Sequence, residues 1–365
     1  MISVIANFYN SAPFIPRLME SMFAQTCSDW ELICVDDCSP SPDDLRLLRR
    51  YEADPRARGR IRVVHLDSNV GISQAKHIGI SHAHGKWISF IDGDDRLRPR
   101  ALESLVTPAE EHDLDMVIGN CRRVYEIPGL HLPFRSVPLR SRAPYGKVIE
   151  RDKIHDNYLR AFFGDNFLSS YAYWGKLYRA DTLRRSAYVV PSVTLYEDIF
   201  FVMHAMLVSS RIMFVPYEGY MWRWGGLSSG SSLKERSSVT DFGPLTVARH
   251  FNDFYASRIA IMERHSIPGV RPLLLGELRD VLWSAFTQCA RHTPGSPGAI
   301  EMEGAISDII SLPAYRDLSL LPPGRIDADP FLRAVTGGDT ATIYSLAYKG
   351  YRRALPKRII KRLLS

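Results

Sequence analysis

Cysteine is scarce in this 365-residue sequence. The five present are Cys27, Cys34, Cys38, Cys121 and Cys289. An odd number at irregular spacing gives no disulfide framework, so reduced thiols in a cytoplasmic protein are expected. Long apolar runs are missing too. No stretch approaches the ~18 uninterrupted apolar residues of a membrane-spanning helix. The opening MISVIANFYN lacks a basic n-region and a small-residue cleavage site, so no signal peptide is expected. No G-x-G-x-x-G follows the first apolar run, which argues against a dinucleotide-binding dehydrogenase. Acidic residues stop at Asp339, and the stretch after it carries Lys349, Arg352, Arg353, Lys357, Arg358, Lys361 and Arg362. The net charge of +6 is therefore local to the end of the chain. It does not mark a nucleic-acid-binding surface spread over the fold.

What is present is an ordinary globular composition, 45% hydrophobic and 24% charged, enough for a sizeable core and about two domains. The first hundred residues alternate apolar runs with helical patterns. Ile2 to Ala6, Leu32 to Val35, Ile61 to Leu66 and Trp87 to Ile91 read as strands. Between them, Phe14, Ile15, Leu18, Met19, Met22 and Phe23 fall at helical spacing. Asn10 or Ser11 is the expected cap of that helix, with Pro13 and Pro16 in its first turns. Asp43 to Tyr51 and Ile72 to Ala83 read as further helices. Such alternation predicts an α/β fold with a mainly parallel, Rossmann-like sheet covered by helices on both faces. Residues 126–150, rich in Pro, Arg and Ser, show no period and read as an irregular excursion. From about Asp241 the pattern is helical. A boundary near residue 236 divides a domain 1–235 from a helical C-terminal region 236–365 with a basic amphipathic tail.

In open α/β sheets ligands bind outside the carboxyl ends of the strands. Each of the four strands is followed by a polar loop: Asn7 to Asn10, Asp36 to Ser39, Asp67 to Gly71, and Asp92 to Asp95. Any one of these is readily a turn or a helix cap, but four in succession point to a binding face. Asp92-Gly93-Asp94 places two carboxylates, one small residue apart, after a buried strand. Mg²⁺ or Mn²⁺ takes one or two such carboxylates and fills its shell with phosphate oxygens. Asp36-Asp37 can accept from a base N–H or a ribose hydroxyl. Asn7 can hydrogen-bond a base, and Tyr9 can stack on it. Glu197-Asp198, ahead of the apolar Ile199-Phe200-Phe201, is either a helix start or a general base beside apolar walls that raise a carboxylate pKa.

Taken together, these motifs resemble glycosyltransferase family 2, with its GT-A fold. The resemblance covers roughly residues 1–232. It is carried by Ile2 to Asn10, by Ala24-Gln25-Thr26 with Trp30 to Ser39, by Asn69 to Gly85, and by Phe90 to Asp95. Lys176-Leu177-Tyr178-Arg179 and Tyr196-Glu197-Asp198 resemble later elements. Asn7 stands at a usual proline, Cys38 at a usual glycine, and Lys76-His77 at a usual Arg-Asn pair. These differences bear on the donor's base and sugar. The resemblance implies an inverting, metal-dependent enzyme of the hexosyltransferase type. It would move a sugar from a nucleotide-diphosphate donor to a hydroxyl of a glycan or lipid-linked acceptor, in bacterial surface polysaccharide synthesis. Asn7, Tyr9, Asp37, Asp92, Lys76, Arg223, Ser228 and Ser229 would bind the donor, with Arg223 and the serines on a flexible loop. Asp94, with Asp92, would hold Mn²⁺ or Mg²⁺, and Asp198 would be the base with Glu197 beside it. Tyr220 to Trp224 resembles the Q-x-x-R-W element of processive synthases, but the glutamine is missing, which favours a non-processive enzyme. The basic tail, with Leu346, Leu355, Ile359, Ile360, Leu363 and Leu364, predicts peripheral attachment to an anionic membrane on its inner face. Two alternatives are an inactive sugar-nucleotide or glycan-binding module and a nucleotidyltransferase. The latter should carry a Gly-rich basic loop that Asn7 to Pro13 lacks.

Overall fold

A computed structural model describes residues 1–127, 132–139, 144–154, 172–185, 197–224, 244–264 and 271–363. The chain divides into two compact units, Met1–Ser232 and Leu233–Ser365.

The first unit is built on a single sheet. Strand β1 (Ile2–Phe8) lies between β2 (Trp30–Asp36) and β4 (Trp87–Asp92), with β3 (Ile61–His65) outside β2, all parallel. These are the four expected strands. Burial on both faces, nearly continuous along β1 and β4, explains their apolar runs. Helix α1 (Ile15–Phe23) buries Ile15, Leu18, Met19 and Met22, the predicted stripe. Its cap differs from expectation. Phe14 is the N-cap residue and supplies no side-chain bond. Asn10 instead takes a left-handed φ of 54°, and the Ser11 Oγ turns back to the Tyr9 carbonyl. Helices α2 (Pro42–Glu52) and α3 (Ile72–Ser81) follow β2 and β3, and α2 is capped by Ser41.

Beyond β4 the sheet becomes mixed. The order is β3-β2-β1-β4-β9-β6-β10-β5, with β7 on β6 and β8 on β10. The added strands are β5 (Arg96–Leu97), β6 (Met116–Ile127), β7 (Leu132–Leu139), β8 (Val148–Glu150), β9 (Lys176–Arg179) and β10 (Arg211–Trp224). β9 is antiparallel to both β4 and β6, whereas β10 runs parallel to β6. Helix α4 (Ala101–Glu111) precedes β6, α5 (Ala180–Arg185) follows β9, and α6 (Glu197–Val208) precedes β10.

The expected irregular excursion over residues 126–150 is a correction, because its described part is β-structure. Pro133 and Pro138 hide the strand pattern of β7. Among the described strands β7 pairs only with β6, so a residue without an N–H is tolerated there. Strand β10 also runs further than the apolar stretch Ile212 to Val215. Register shifts on either side of Glu218 carry it past Pro216 to Trp224. The mixed right half is thus what the parallel left half does not announce.

The second unit is helical. It contains α7 (Pro244–Arg264), α8 (Arg271–Cys289), α9 (Pro297–Ile310), α10 (Pro330–Gly337) and α11 (Thr340–Leu363), with short turns of helix between α9 and α10. Ile343, Tyr344 and Ala347 of α11 are fully buried, and the Tyr344 hydroxyl donates to the His292 carbonyl at 2.8 Å. The first turns of the basic tail are therefore core. Among the described residues no helix is long and apolar enough to cross a membrane.

Candidate active site

The polar loops at the carboxyl ends of β1 to β4 are bound to one another. Asn7 is in register with Asp92 across β1 and β4. Its amide donates to the Ile72 carbonyl at 3.0 Å, tying β1 to the start of α3. The Asp37 carboxylate accepts from the backbone N–H groups of Val70 (2.7 Å) and Gly71 (3.0 Å). Burial pushes the Asp37 carboxyl up, these two donors pull it back down, and Asp36 adds to the rise. Asp36 is bonded to Ser39 and to His65, at 2.7 Å each. Tyr9 remains exposed at the rim.

The acidic loop after β4 is held from several sides. The Lys76 ammonium, buried on α3, lies 3.2 Å from Asp92 Oδ1 and 4.2 Å from the Tyr173 ring centroid. Tyr173 packs on Phe201 of α6 at 4.4 Å between centroids. A continuous line of contacts thus joins Asp92 to the helix that begins at Glu197-Asp198. On the other side, the Tyr220 hydroxyl accepts from the Asp92 N–H (3.0 Å) and donates to Asp95 Oδ2 (2.6 Å), and the Arg223 N–H donates to Asp95 Oδ1 (2.7 Å). Complete burial, with Asp94 and Asp92 close by, pushes the Asp95 carboxyl well above the usual range. Asp94 faces a small cleft lined also by Phe14, Arg17, Arg96, Glu126 and Arg223. Arg223 Nη1 is 3.7 Å from Asp94 Oδ2, and Arg223 Nε donates to Glu126 at 2.8 Å.

Three residues of this assembly escape sequence reasoning. Asp95 fixes the loop, Glu126 holds Arg223 and Arg17, and Asp44 accepts from Ser11 (2.6 Å) and Ala12 (2.9 Å), pinning the β1 loop. The Asp92 to Asp95 run offers a signal for the first. For Glu126 and Asp44 the partners are too far off in sequence. Arg223 is also corrected in position. It belongs to strand β10, not to a flexible loop. Ser228 and Ser229 lie outside the described residues, as does the side chain of Glu197.

Asp198 is half-buried, the second residue of α6. Its charge acts on two fully buried groups of β9, Lys176 and Tyr178. Burial lowers the Lys176 ammonium to about 7, against the opposing pull of Cys121 and Asp198. Lys176 Nζ donates to the carbonyls of Ala172 (2.6 Å) and Trp174 (3.3 Å).

Among the described residues no group of three or more His, Cys, Asp or Glu side chains is arranged to hold a metal on its own. The donor set at the acidic loop fits a different kind of site. Asp92 and Asp94 supply hard carboxylate oxygens. Asn7 Oδ1 and Asp92 Oδ1 are buried with no hydrogen-bond donor; the Lys76 contact at 3.2 Å is an ion pair without hydrogen-bond geometry. Two carboxylates plus ligand oxygens is the usual arrangement for Mg²⁺ or Mn²⁺ on a phosphorylated substrate.

Comparison with known proteins agrees with this architecture. Residues 3–164 match the family described as Glycosyl transferase family 2. Glycosyltransferase EpsJ of Bacillus subtilis is 26% identical over 329 residues, covering 80% of this chain and 87% of that protein. The succinoglycan biosynthesis protein ExoO of Rhizobium meliloti is 28% identical over 237 residues, 62% of each chain. The crystal structure of S. aureus TarS 1-349 in complex with UDP-GlcNAc superposes with a TM-score of 0.63 at 18% identity, over 97% of this chain and 92% of that one, which shows a shared fold. Residues 3–164 thus carry the match to glycosyl transferase family 2, and the first unit has the GT-A fold.

Proposed function

We propose that the protein transfers a sugar from a nucleotide-diphosphate donor to a hydroxyl of a glycan or lipid-linked acceptor, in the synthesis of a bacterial surface polysaccharide. One observation carries this reading. Asn7, Asp37, Lys76, Asp92 and Asp94 come from three different strand ends and a helix and gather at the carboxyl ends of the parallel strands, tied there through the start of α3 and, for Asp94, through Arg223; open α/β sheets bind ligands at that edge. The named role of ExoO and the nucleotide-sugar complex of TarS support the same substrate class.

In this reading Asn7, Tyr9 and Asp37 contact the nucleobase, and Asp92 the ribose. Asp94, with Asp92, holds Mn²⁺ or Mg²⁺. When bound, the cation offsets charge developing on the departing diphosphate. Lys76 sets the position of Asp92, and Arg223 sets that of Asp94. Asp198 accepts the proton of the acceptor hydroxyl as its oxygen bonds to the anomeric carbon. The bond from that carbon to the diphosphate oxygen breaks with its electron pair on the leaving group. Attack opposite the leaving group inverts the anomeric configuration. The basic end of α11 attaches the enzyme to the inner face of an anionic membrane.

A thermal-shift panel of nucleotide sugars with Mn²⁺ tests the donor class. At least one donor should raise the melting temperature of the wild type and leave that of Asp94→Asn unchanged. A panel without any shift speaks against the reading. Binding without release of nucleoside diphosphate would mark a sugar-nucleotide-binding module instead.

A further inference from the structure

Beyond the irregularity at Glu218, the parallel strands β6 and β10 place Arg123 beside Trp222 and Tyr125 beside Trp224. β7 adds Arg135 opposite Tyr125. Alternation along a strand puts these side chains on the sheet face opposite to Arg122 and Arg223. The two faces differ in charge pairing. Arg122 has Glu218 as partner, and Arg223 has Glu126. Arg123 instead lies against aromatic rings, its guanidinium carbon 4.2 Å from the Trp224 centroid and 4.7 Å from that of Trp222. Its Nε is buried without an acceptor, and no carboxylate among the described residues pairs with it. The Arg135 guanidinium lies 5.6 Å from the Tyr125 ring.

The aromatic row starts at the acidic loop. Tyr220, bonded to Asp92 and Asp95, stacks on Trp174 at 4.3 Å with 7° between the planes. Trp222 and then Trp224, the latter 47% exposed, continue the row toward solvent. Two strand repeats carry it about 13 Å from Tyr220, a length that several linked sugar rings span. Aromatic faces suit the C–H faces of sugars. A planar guanidinium stacked on aromatic rings, with no carboxylate partner among the described residues, suits a carboxylate or phosphate, which it binds through paired hydrogen bonds.

We infer that this face is an acceptor subsite, and that Arg123 selects a glycan bearing an anionic group, carboxylate or phosphate, next to the sugar that is glycosylated. The inference rests on the glycosyltransferase reading and adds the acceptor's chemical class to it.

Tryptophan fluorescence titrations with three probes test it: maltotetraose, tetragalacturonate, and maltotetraose phosphorylated at one primary hydroxyl. At least one acidic probe should bind about tenfold or more tightly than the neutral one, as expected of a charge-assisted contact. Which acidic probe does so assigns carboxylate or phosphate. Arg123→Gln and Arg123→Ala should remove the preference, and Arg123→Lys should keep part of it. Nucleotide-sugar binding, measured in parallel, should be unchanged in all three. Equal binding of acidic and neutral probes, no binding of either acidic probe, or a preference that survives Arg123→Ala would overturn the inference. Loss of nucleotide-sugar binding in the wild type itself would instead count against the underlying reading.

Discussion

Gly93 and Asn7 touch through their backbones. A β-carbon built on Gly93 would stand 2.6 Å from the Asn7 carbonyl oxygen and 2.9 Å from the Phe8 ring. The small residue between Asp92 and Asp94 is thus dictated by packing. It lets the acidic loop lie directly on the end of β1, where the Asn7 side chain also sits.

Gly93→Ala should therefore separate the two loops. Overpacking of this kind costs about 1–3 kcal/mol. A urea midpoint should fall accordingly, and donor binding should weaken by more than the stability loss explains. Wild-type donor affinity in a folded Gly93→Ala protein would contradict the packing argument.

Cys38 takes φ 55°, a left-handed conformation that costs a residue with a β-carbon roughly 1–2 kcal/mol. Cys38→Gly should therefore stabilise the protein by up to about 1 kcal/mol, after the extra chain entropy of glycine is counted. Cys38→Ala, which keeps the strain, should give no such gain in chemical denaturation. A gain shared by both variants would show that removing the thiol, and not relief of φ, is responsible.

Lys176 titrates near 7 in the folded protein, below the usual lysine value of about 10.4. Between those values the unfolded chain binds more protons, so stability should rise with pH. The slope approaches about 1.4 kcal/mol per pH unit for one proton. Unfolding between pH 7.5 and 8.5 should show this rise in the wild type and not in Lys176→Met. Above that range the buried Tyr178 and Cys34, both pushed up by burial, oppose the trend. Identical slopes in the two proteins would contradict a buried, largely neutral Lys176.

The basic tail needs a test that spares the core. Deletion from Thr340 would remove Ile343, Tyr344 and Ala347 from the interior of the second unit. Replacing Lys357, Arg358, Lys361 and Arg362 with glutamine avoids this. Each such charge contributes about 1 kcal/mol at an anionic surface. Co-sedimentation with phosphatidylglycerol vesicles should therefore be lost in the quadruple variant. Unchanged pelleting would refute membrane attachment through this segment.

The parallel half of the sheet is legible in the sequence because β1, β2 and β4 are buried along nearly their whole length and so read as apolar runs ahead of polar loops, whereas β3, with Arg62 and His65 exposed, is marked by Ile61, Val63 and Val64. Asp37, Asp92 and Asp94 follow from that grammar. The mixed half is less legible. Proline interrupts β7, and the irregularity around Pro216 to Gly219 divides β10 into two patterns that look unrelated. The same break conceals why Asp95 matters, since Tyr220 and Arg223 reach it only after β10 has passed the bulge. Arg123 is silent in the sequence for a related reason. Its partners, Trp222 and Trp224, are about a hundred residues away and meet it through strand register alone.

In the proposed reaction the Asp92–Asp94 loop holds the donor and Asp198 is the base. The most direct test is release of nucleoside diphosphate from the donor found by thermal shift, with acceptor and Mn²⁺ present, in wild type, Asp94→Asn and Asp198→Asn. The wild type should turn over. Asp94→Asn should neither bind donor in a metal-dependent way nor turn over. Asp198→Asn should bind donor normally yet lose about 10²- to 10⁴-fold in acceptor-dependent rate, the usual range for a general base. Full activity of Asp94→Asn in EDTA, or near-normal turnover by Asp198→Asn with Glu197→Gln inactive, would contradict it.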